Sequence, residues 1–282
     1  MSIVGEALSR MTLVRDEGIL HERGGHGLPE SFAFVPERRA SGAGEPLVVA
    51  VHGVSREARQ QIELLRPCAE AAGLALLAPL FDAETFADYQ RLGRRSFGPR
   101  ADLALIELIE RFEERSARRF DRLLLVGYSG GAQFVHRFVM AHPERVAAAV
   151  CAAAGWYTTP DRARRFPRGL RTGGLLPGVR LEPRRFLRVP TLVAVGAQDL
   201  GRDESVRTEA RLDAEQGRNR VERARTWVRA MREAAERCGL ASRIDYVELP
   251  GVAHSFPECV EAGLDRVAFE FFESILLEEA AT

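Results

Sequence analysis

The sequence predicts an α/β fold in which a mostly parallel central sheet is flanked by helices. Short, continuously apolar runs recur at 47–51, 74–79, 123–126, 146–152 and 191–196, the pattern of strands buried on both faces of a parallel sheet. Segments with helical spacing alternate with them, so strand–helix units follow one another along the chain. The candidate reactive residues fall just after strands, where open α/β sheets place their ligands.

The 282 residues, 46% of them apolar, are enough for one large core. No internal repeat or compositional boundary divides the chain, so a single domain over 1–282 is expected. The 40 basic and 40 acidic residues cancel and are interspersed, which leaves no sustained basic surface for nucleic acid. Every basic residue is arginine. The one dense patch, Arg162, Arg164, Arg165, Arg168 and Arg171, reads as a solvated face. Cys68, Cys151, Cys238 and Cys259 lack metal-ligand spacing and read as small buried hydrophobes. No run approaches a membrane span. The first residues lack a basic region followed by an apolar one, so no secretory signal is expected and the expected location is cytoplasmic.

Taken in order, residues 1–30 are mixed, with a short strand expected around Met11 to Arg15 and a glycine-rich link from His21 to Gly27. His21 and His26 have no carboxylate or thiolate partners at ligand spacing, so a loop and no metal is expected. Residues 31–36 form a strand near the sheet edge, and 40–46 a turn. The buried strand 47–51 is followed by a helix over 57–72, broken or bent near Pro67 and stopped at Gly73. Strand 74–79 leads into a polar loop, 80–99, whose aromatic members are Phe81, Phe86, Tyr89 and Phe97. Leu105, Leu108, Ile109 and Phe112 mark a helix over 101–119.

Strand 123–126, a helix over 132–140 and strand 146–152 come next. Residues 155–188 show no clear periodicity and many Pro, Gly and Arg. They are a loop or small cap insertion whose length is explained if it lies over the site. Strand 191–196 precedes a charged stretch, 200–217. A helix over 220–238 carries Val221, Trp227, Val228 and Met231 and ends at Gly239. A half-buried strand over 244–249, a loop over 251–256 and a helix over 264–277 complete the chain.

The centre of this organisation is Val126-Gly127-Tyr128-Ser129-Gly130-Gly131. Strand, Gly-x-Ser-x-Gly, helix is the arrangement in which a serine sits on a turn so sharp that the neighbouring strand and helix backbones nearly touch. Side chains at Gly127 or Gly131 would collide with that turn. Ser129 is thereby a candidate nucleophile, and the Gly130 amide points to where an oxyanion would form. Serine needs a base, and the base an orienting carboxylate. After Ser129, Asp199 follows one strand and His254 another, in the order Ser…Asp…His.

Asp199 would hold the His254 tautomer; Asp203 and Glu204 are nearby rivals. His254 would take the serine proton and return it to the leaving group. His136 and His142 fall within and at the end of the helix after Ser129, where packing or capping suffices. A second oxyanion amide is expected from the loop after the first long strand, His52-Gly53-Val54, with Val54 N–H the better choice. Gly53 would let the backbone approach closely, and His52 would support the loop. Tyr128, Trp156, Tyr157, Ser55 and Arg56 are candidates for shaping the pocket.

On Gly127-Tyr128-Ser129-Gly130-Gly131, His52-Gly53, Asp199 and His254, residues 31–282 resemble the α/β-hydrolase superfamily in its esterase and depolymerase-like branches. The resemblance implies an eight-stranded, mostly parallel sheet, an acyl-serine mechanism and no cofactor. It implies a carboxylic ester hydrolase acting on a small-molecule ester. Peptidase or thioesterase activity in the same fold is one alternative, and a non-catalytic binding protein that kept the fold another. A dinucleotide cofactor is disfavoured, because the glycines around Ser129 do not supply Gly-x-Gly-x-x-Gly.

Overall fold

The computed structural model describes residues 14–16, 18–37, 45–93, 98–202 and 206–281. Among them nine strands form one sheet: β1 (Val14–Asp16), β2 (Ile19–Glu22), β3 (Glu30–Phe34), β4 (Glu45–Val51), β5 (Ala75–Leu80), β6 (Phe120–Tyr128), β7 (Val146–Ala152), β8 (Thr191–Gly196) and β9 (Ile244–Leu249). Their order is β1-β2-β3-β5-β4-β6-β7-β8-β9. The first three strands join antiparallel, with β3 against β5; all pairings from β5 through β9 are parallel.

The helices are α1 (Ala58–Ala72), α2 (Ala101–Ser116), α3 (Gly130–Ala141), α4 (Pro183–Phe186), α5 (Ala210–Gln216), α6 (Arg220–Arg237), α7 (Phe256–Glu261) and α8 (Leu264–Ala280). Alternation along each strand divides the core between the two faces of the sheet. Leu47, Val49, Val51, Leu123 and Leu125 pack with α2, α3 and α6 on one face. Val48, Ala50, Leu124 and Val126 pack with α1 and α8 on the other. Both faces are covered, so the central strands read as unbroken apolar runs.

The structure departs from the sequence reading in several places. The sheet has nine strands among the described residues, not eight; β1, at the edge, overlaps the short strand expected around Met11 to Arg15, and the strand not expected is β2. His21 and Glu22 belong to β2 rather than to a glycine-rich link, with His21 stacked on Phe32. With β1 and β2 outside it, β3 is the third strand from the edge of the sheet. Helix α1 runs through Pro67 without a break. Pro67 and Glu63 both lie on its exposed side, so the carbonyl deprived of a donor by the proline ring faces water.

In the polar loop after β5 the aromatic members are buried: Phe81, Phe86 and Tyr89 are fully enclosed, and Phe81 stacks on Tyr89 with centroids 5.3 Å apart. A single 3-10 turn, Tyr89–Arg91, lies there. Met11, Ala40 to Gly44 and Phe97, named in the sequence reading, lie outside the described residues.

Residues 155–188 make contacts to α3 and α6. Tyr157 stacks on Trp227 of α6, whose indole N–H donates to Thr158 O at 2.7 Å. The His136 imidazole of α3 accepts the Thr158 N–H at 3.0 Å. Phe166, Leu170, Leu176 and Leu181 are buried anchors whose irregular spacing matches no helix or strand period. The arginine patch here is ion-paired, Arg162 to Glu182 at 2.9 Å, Arg164 to Asp161 and Glu215, and Arg168 to Glu209. His142, read as packing or a cap, meets the buried carboxylate of Asp102 at 2.8 Å.

Candidate active site

Strand β6 delivers Ser129 onto the turn that opens α3. Ser129 has φ 53° and ψ −110°, a conformation that L-residues adopt only when their surroundings impose it. The glycines make it possible. A Cβ on Gly131 would lie 1.9 Å from Val51 O, and one on Gly127 2.4 Å from Gly131 O. The Ser129 N–H donates to Ala152 O on β7 at 2.8 Å, which fixes the turn against the sheet.

The loops after β8 and β9 are stitched together. Ala197 N–H donates to Leu249 O at 2.8 Å and Gln198 N–H to Val252 O at 2.9 Å. Gly196 admits this approach, because a Cβ there would sit 2.5 Å from Val252 O and Ala253 O. The stitching carries Asp199 and His254 to each other: Nδ1–H of His254 donates to Asp199 Oδ2 at 2.8 Å. On its other side His254 Nε2 lies 3.1 Å from Ser129 Oγ. With Nδ1 protonated, Nε2 is the acceptor, the tautomer in which it can take a proton from serine. The structure therefore joins Ser129, His254 and Asp199 in one hydrogen-bonded line. Asp203 and Glu204 lie outside the described residues.

Sequence reasoning missed Arg220. It is the first residue of α6 and wholly buried, and its guanidinium donates to Asp199 Oδ1 at 3.0 Å. Both oxygens of Asp199 are thus engaged, one by a cation and one by the imidazole. The signal available in the sequence was Asn219 with Glu222 three residues on, a helix-start signature; Asn219 does accept the Glu222 N–H. Ser255-Phe256-Pro257-Glu258 is a second one, and Ser255 caps the unpredicted α7 directly after His254.

Tyr128 stacks on His254 with centroids 5.1 Å apart, and its hydroxyl is 3.3 Å from Nδ1. Burial pushes the Tyr128 phenol up and keeps it neutral. It limits rotation of the imidazole from the face, as Asp199 does from the edge.

Across Ser129 stands the loop after β4. A Cβ on Gly53 would be 3.4 Å from Ser129 Cβ, and one on Gly130 3.3 Å from Val54 N. The Val54 and Gly130 amides thus lie beside each other next to the serine, and among the described residues neither donates to a protein acceptor. Val54 is 50% exposed.

His52 shapes this loop from beneath. Its Nδ1 donates to Gly53 O at 2.7 Å and its Nε2 accepts the Phe81 N–H at 3.0 Å. Burial, aided by the charge of Arg56, lowers its pKa to about 4, so it is a neutral strut with both nitrogens committed. Tyr89, a second residue not singled out from sequence, donates its hydroxyl to His52 O at 2.9 Å. Arg56 lies over the Tyr89 ring at 5.3 Å and bonds Phe81 O. Trp156 is buried four residues beyond β7, with the Arg137 guanidinium 4.2 Å from its ring centroid.

Among the described residues no group of three or more His, Cys, Asp or Glu is placed to hold a metal ion, and no helix is long and apolar enough to cross a membrane.

This sheet order, with a serine elbow after β6, is the α/β-hydrolase fold. The chain is similar to poly(aspartic acid) hydrolase-1 from Sphingomonas sp. KT-1 at 21% identity and a TM-score of 0.73, over 90% of this chain and 97% of that one. It is similar to a poly(3-hydroxybutyrate) depolymerase from Bordetella parapertussis at 25% identity and a TM-score of 0.70, over 92% of this chain and 85% of that one. An S-formylglutathione hydrolase from Agrobacterium tumefaciens aligns at 13% identity and a TM-score of 0.56, over 92% and 98%. Neither a protein-family model nor a curated protein sequence matches the chain.

Proposed function

We propose that the protein is a serine hydrolase that cleaves carboxylic esters through an acyl-serine intermediate. One observation carries the reading: Ser129 Oγ is 3.1 Å from His254 Nε2, whose Nδ1 is 2.8 Å from Asp199, beside the Val54 and Gly130 amides. The similarity to hydrolases, including a depolymerase named for a polyester substrate, supports it.

In this reading Ser129 Oγ attacks the ester carbonyl carbon as its proton passes to His254 Nε2. The negative oxygen of the tetrahedral intermediate is held by the Gly130 and Val54 N–H groups. Asp199 stabilises the imidazolium and keeps its orientation. The bond from carbon to the alcohol oxygen breaks as His254 returns its proton to that oxygen, leaving acyl-Ser129. Water then attacks, giving its proton to Nε2; the bond to Ser129 Oγ breaks, Oγ recovers the proton, and the acid leaves.

The test is the intact mass of the protein after exposure to a fluorophosphonate, with Ser129→Ala and His254→Ala alongside. One adduct on the wild type, absent from S129A and slowed in H254A, supports the reading. An unlabelled, folded wild type that turns over no chromogenic ester overturns it.

A further inference from the structure

The proposed mechanism makes no use of Trp156 and the three arginines around it. The guanidinium carbons of Arg137, Arg91 and Arg207 lie 4.2, 5.8 and 5.8 Å from the Trp156 ring centroid. Arg137 is fully buried on α3. Its Nε donates to Thr158 Oγ1 at 2.9 Å, and its Nη1 to Gln90 O at 2.5 Å and Gln133 O at 3.2 Å. Its Nη2 is buried and has no acceptor, and among the described residues no carboxylate forms an ion pair with Arg137.

A guanidinium stays protonated in proteins, and burying a cation without a counter-charge is costly. The Trp156 face and three neutral oxygens offset part of that cost. A tie between α3 and its neighbours could be made with a neutral side chain. What the charge adds is a positive field under Trp156. At the same ring, Arg91 and Arg207 reach solvent, their side chains 34% and 45% exposed, and each also pairs with a carboxylate at the surface, Arg91 with Asp88 at 3.7 Å and Arg207 with Glu209 at 3.3 Å, so that the buried Arg137 is the charge in the cluster with no carboxylate of its own among the described residues.

The cluster is held in place. Arg223, itself buried, donates to Gly155 O at 2.5 Å and to Arg207 O at 2.9 Å, and pairs with Asp213 at 2.8 Å. It thereby fixes the backbone on both sides of the cluster, before Trp156 and at Arg207. Two short stretches of chain tie the cluster to the serine turn. Trp156 comes four residues after Ala152, which accepts the Ser129 N–H; that is at most roughly 14 Å of chain. Arg91 follows Tyr89 by two residues, and the Tyr89 hydroxyl would be 2.6 Å from a Cβ on Gly130.

The geometry points to a subsite for a carboxylate carried by the substrate: Arg91 and Arg207 receive it beside Trp156, and Arg137 backs them from within. The ester this protein takes is one whose acyl or alcohol portion ends in an anion. This rests on the serine-hydrolase reading above.

Paired substrates test it: 4-nitrophenyl hexanoate, octanoate and decanoate, each against the mono-4-nitrophenyl ester of the dicarboxylic acid of equal length. The expected result is a kcat/KM at least about tenfold higher for the carboxylated member at one length or more, shrinking as salt rises. The Arg91→Gln/Arg207→Gln double variant, whose changes lie at exposed side chains, should bring the ratio towards one. Arg184→Gln/Arg188→Gln, which removes two charges from the distant α4 region, should leave the ratio where it was. A wild-type ratio near one at every length, or a preference that survives R91Q/R207Q, overturns the subsite while a labelled Ser129 leaves the hydrolase reading standing. No turnover of either member together with an unlabelled Ser129 overturns both.

Discussion

The Arg220 guanidinium stands 3.0 Å from one oxygen of Asp199, and the other oxygen stands 2.8 Å from His254. The carboxylate that orients the imidazole is itself clamped by a buried cation, so the register of the proposed triad extends into α6. Removing that cation leaves an uncompensated buried charge. Arg220→Met is expected to cost about 3–5 kcal/mol in urea unfolding and to lower kcat, because Asp199 loses its second anchor. Asp199→Asn/Arg220→Met should recover much of the stability and none of the activity. Arg220→Lys, which retains the charge, should fall between wild type and Met. A stable R220M with wild-type kcat would show that Asp199 needs no such clamp.

The elbow makes a sharper steric prediction. A Cβ at Gly131 would sit 1.9 Å from the backbone oxygen of Val51, and neither β4 nor α3 can give way without moving the sheet. Gly131→Ala is expected to destabilise by about 3 kcal/mol or more and to abolish ester turnover. Gly201→Ala, with nothing within 4 Å, should change stability by less than about 0.5 kcal/mol. Thermal melts of the two variants side by side decide it; equal melting temperatures would refute the close approach.

Much of the fold was legible because β4, β6, β7 and β8 are buried on both faces, which writes continuous apolar runs into the chain. The elbow and the approximate places of Asp199 and His254 were legible for a related reason: sharp turns need glycine, and reactive groups follow strand ends. What pattern could not supply was packing between elements distant in sequence. Tyr89 and Arg220 reach the site from a 3-10 turn and a helix start, 40 residues before and 91 after Ser129 by their numbers. Tyr89 has no local motif that marks it, and Asn219 with Glu222 marks the helix start at Arg220 but not the reach of its side chain to Asp199. His21 and Glu22 were drawn into the neighbouring glycine loop, although pairing with β3 makes them strand residues. Residues 155–188 form no period, because their anchors fit the irregular surface of α3 and α6.

Tyr89 and Gly130 are expected to be coupled. The Tyr89 hydroxyl donates to His52 O and would lie 2.6 Å from a Cβ at Gly130. In Gly130→Ala the hydroxyl must move, and with it the loop that presents the Val54 amide. G130A should therefore lose roughly 10- to 100-fold in kcat, a fraction of what loss of an oxyanion donor costs. Tyr89→Phe alone should lose less, and Y89F/G130A should be more active than G130A. A double variant at the product of the two single losses would mean that the residues act independently.

His52 gives the stability a pH dependence of known sign. Burial lowers its pKa to about 4 in the folded chain, against about 6.5 when unfolded. Between those values the unfolded state binds the proton and the folded state does not. The contribution of neutral His52 is thus complete above about pH 6.5 and lost as pH falls towards 4, a difference on the order of 3 kcal/mol. Protonation would also take from Nε2 the lone pair that accepts the Phe81 N–H, and so loosen the oxyanion loop. His136, pushed well below the ordinary value by burial, acts in the same direction, so acid instability of the wild type alone does not isolate His52. Comparison with His52→Gln does. H52Q should be less stable than wild type at pH 7, and the gap should narrow by about 2–3 kcal/mol at pH 4.5 in urea unfolding. A gap that is the same at both pH values would mean that His52 takes up its proton as readily folded as unfolded.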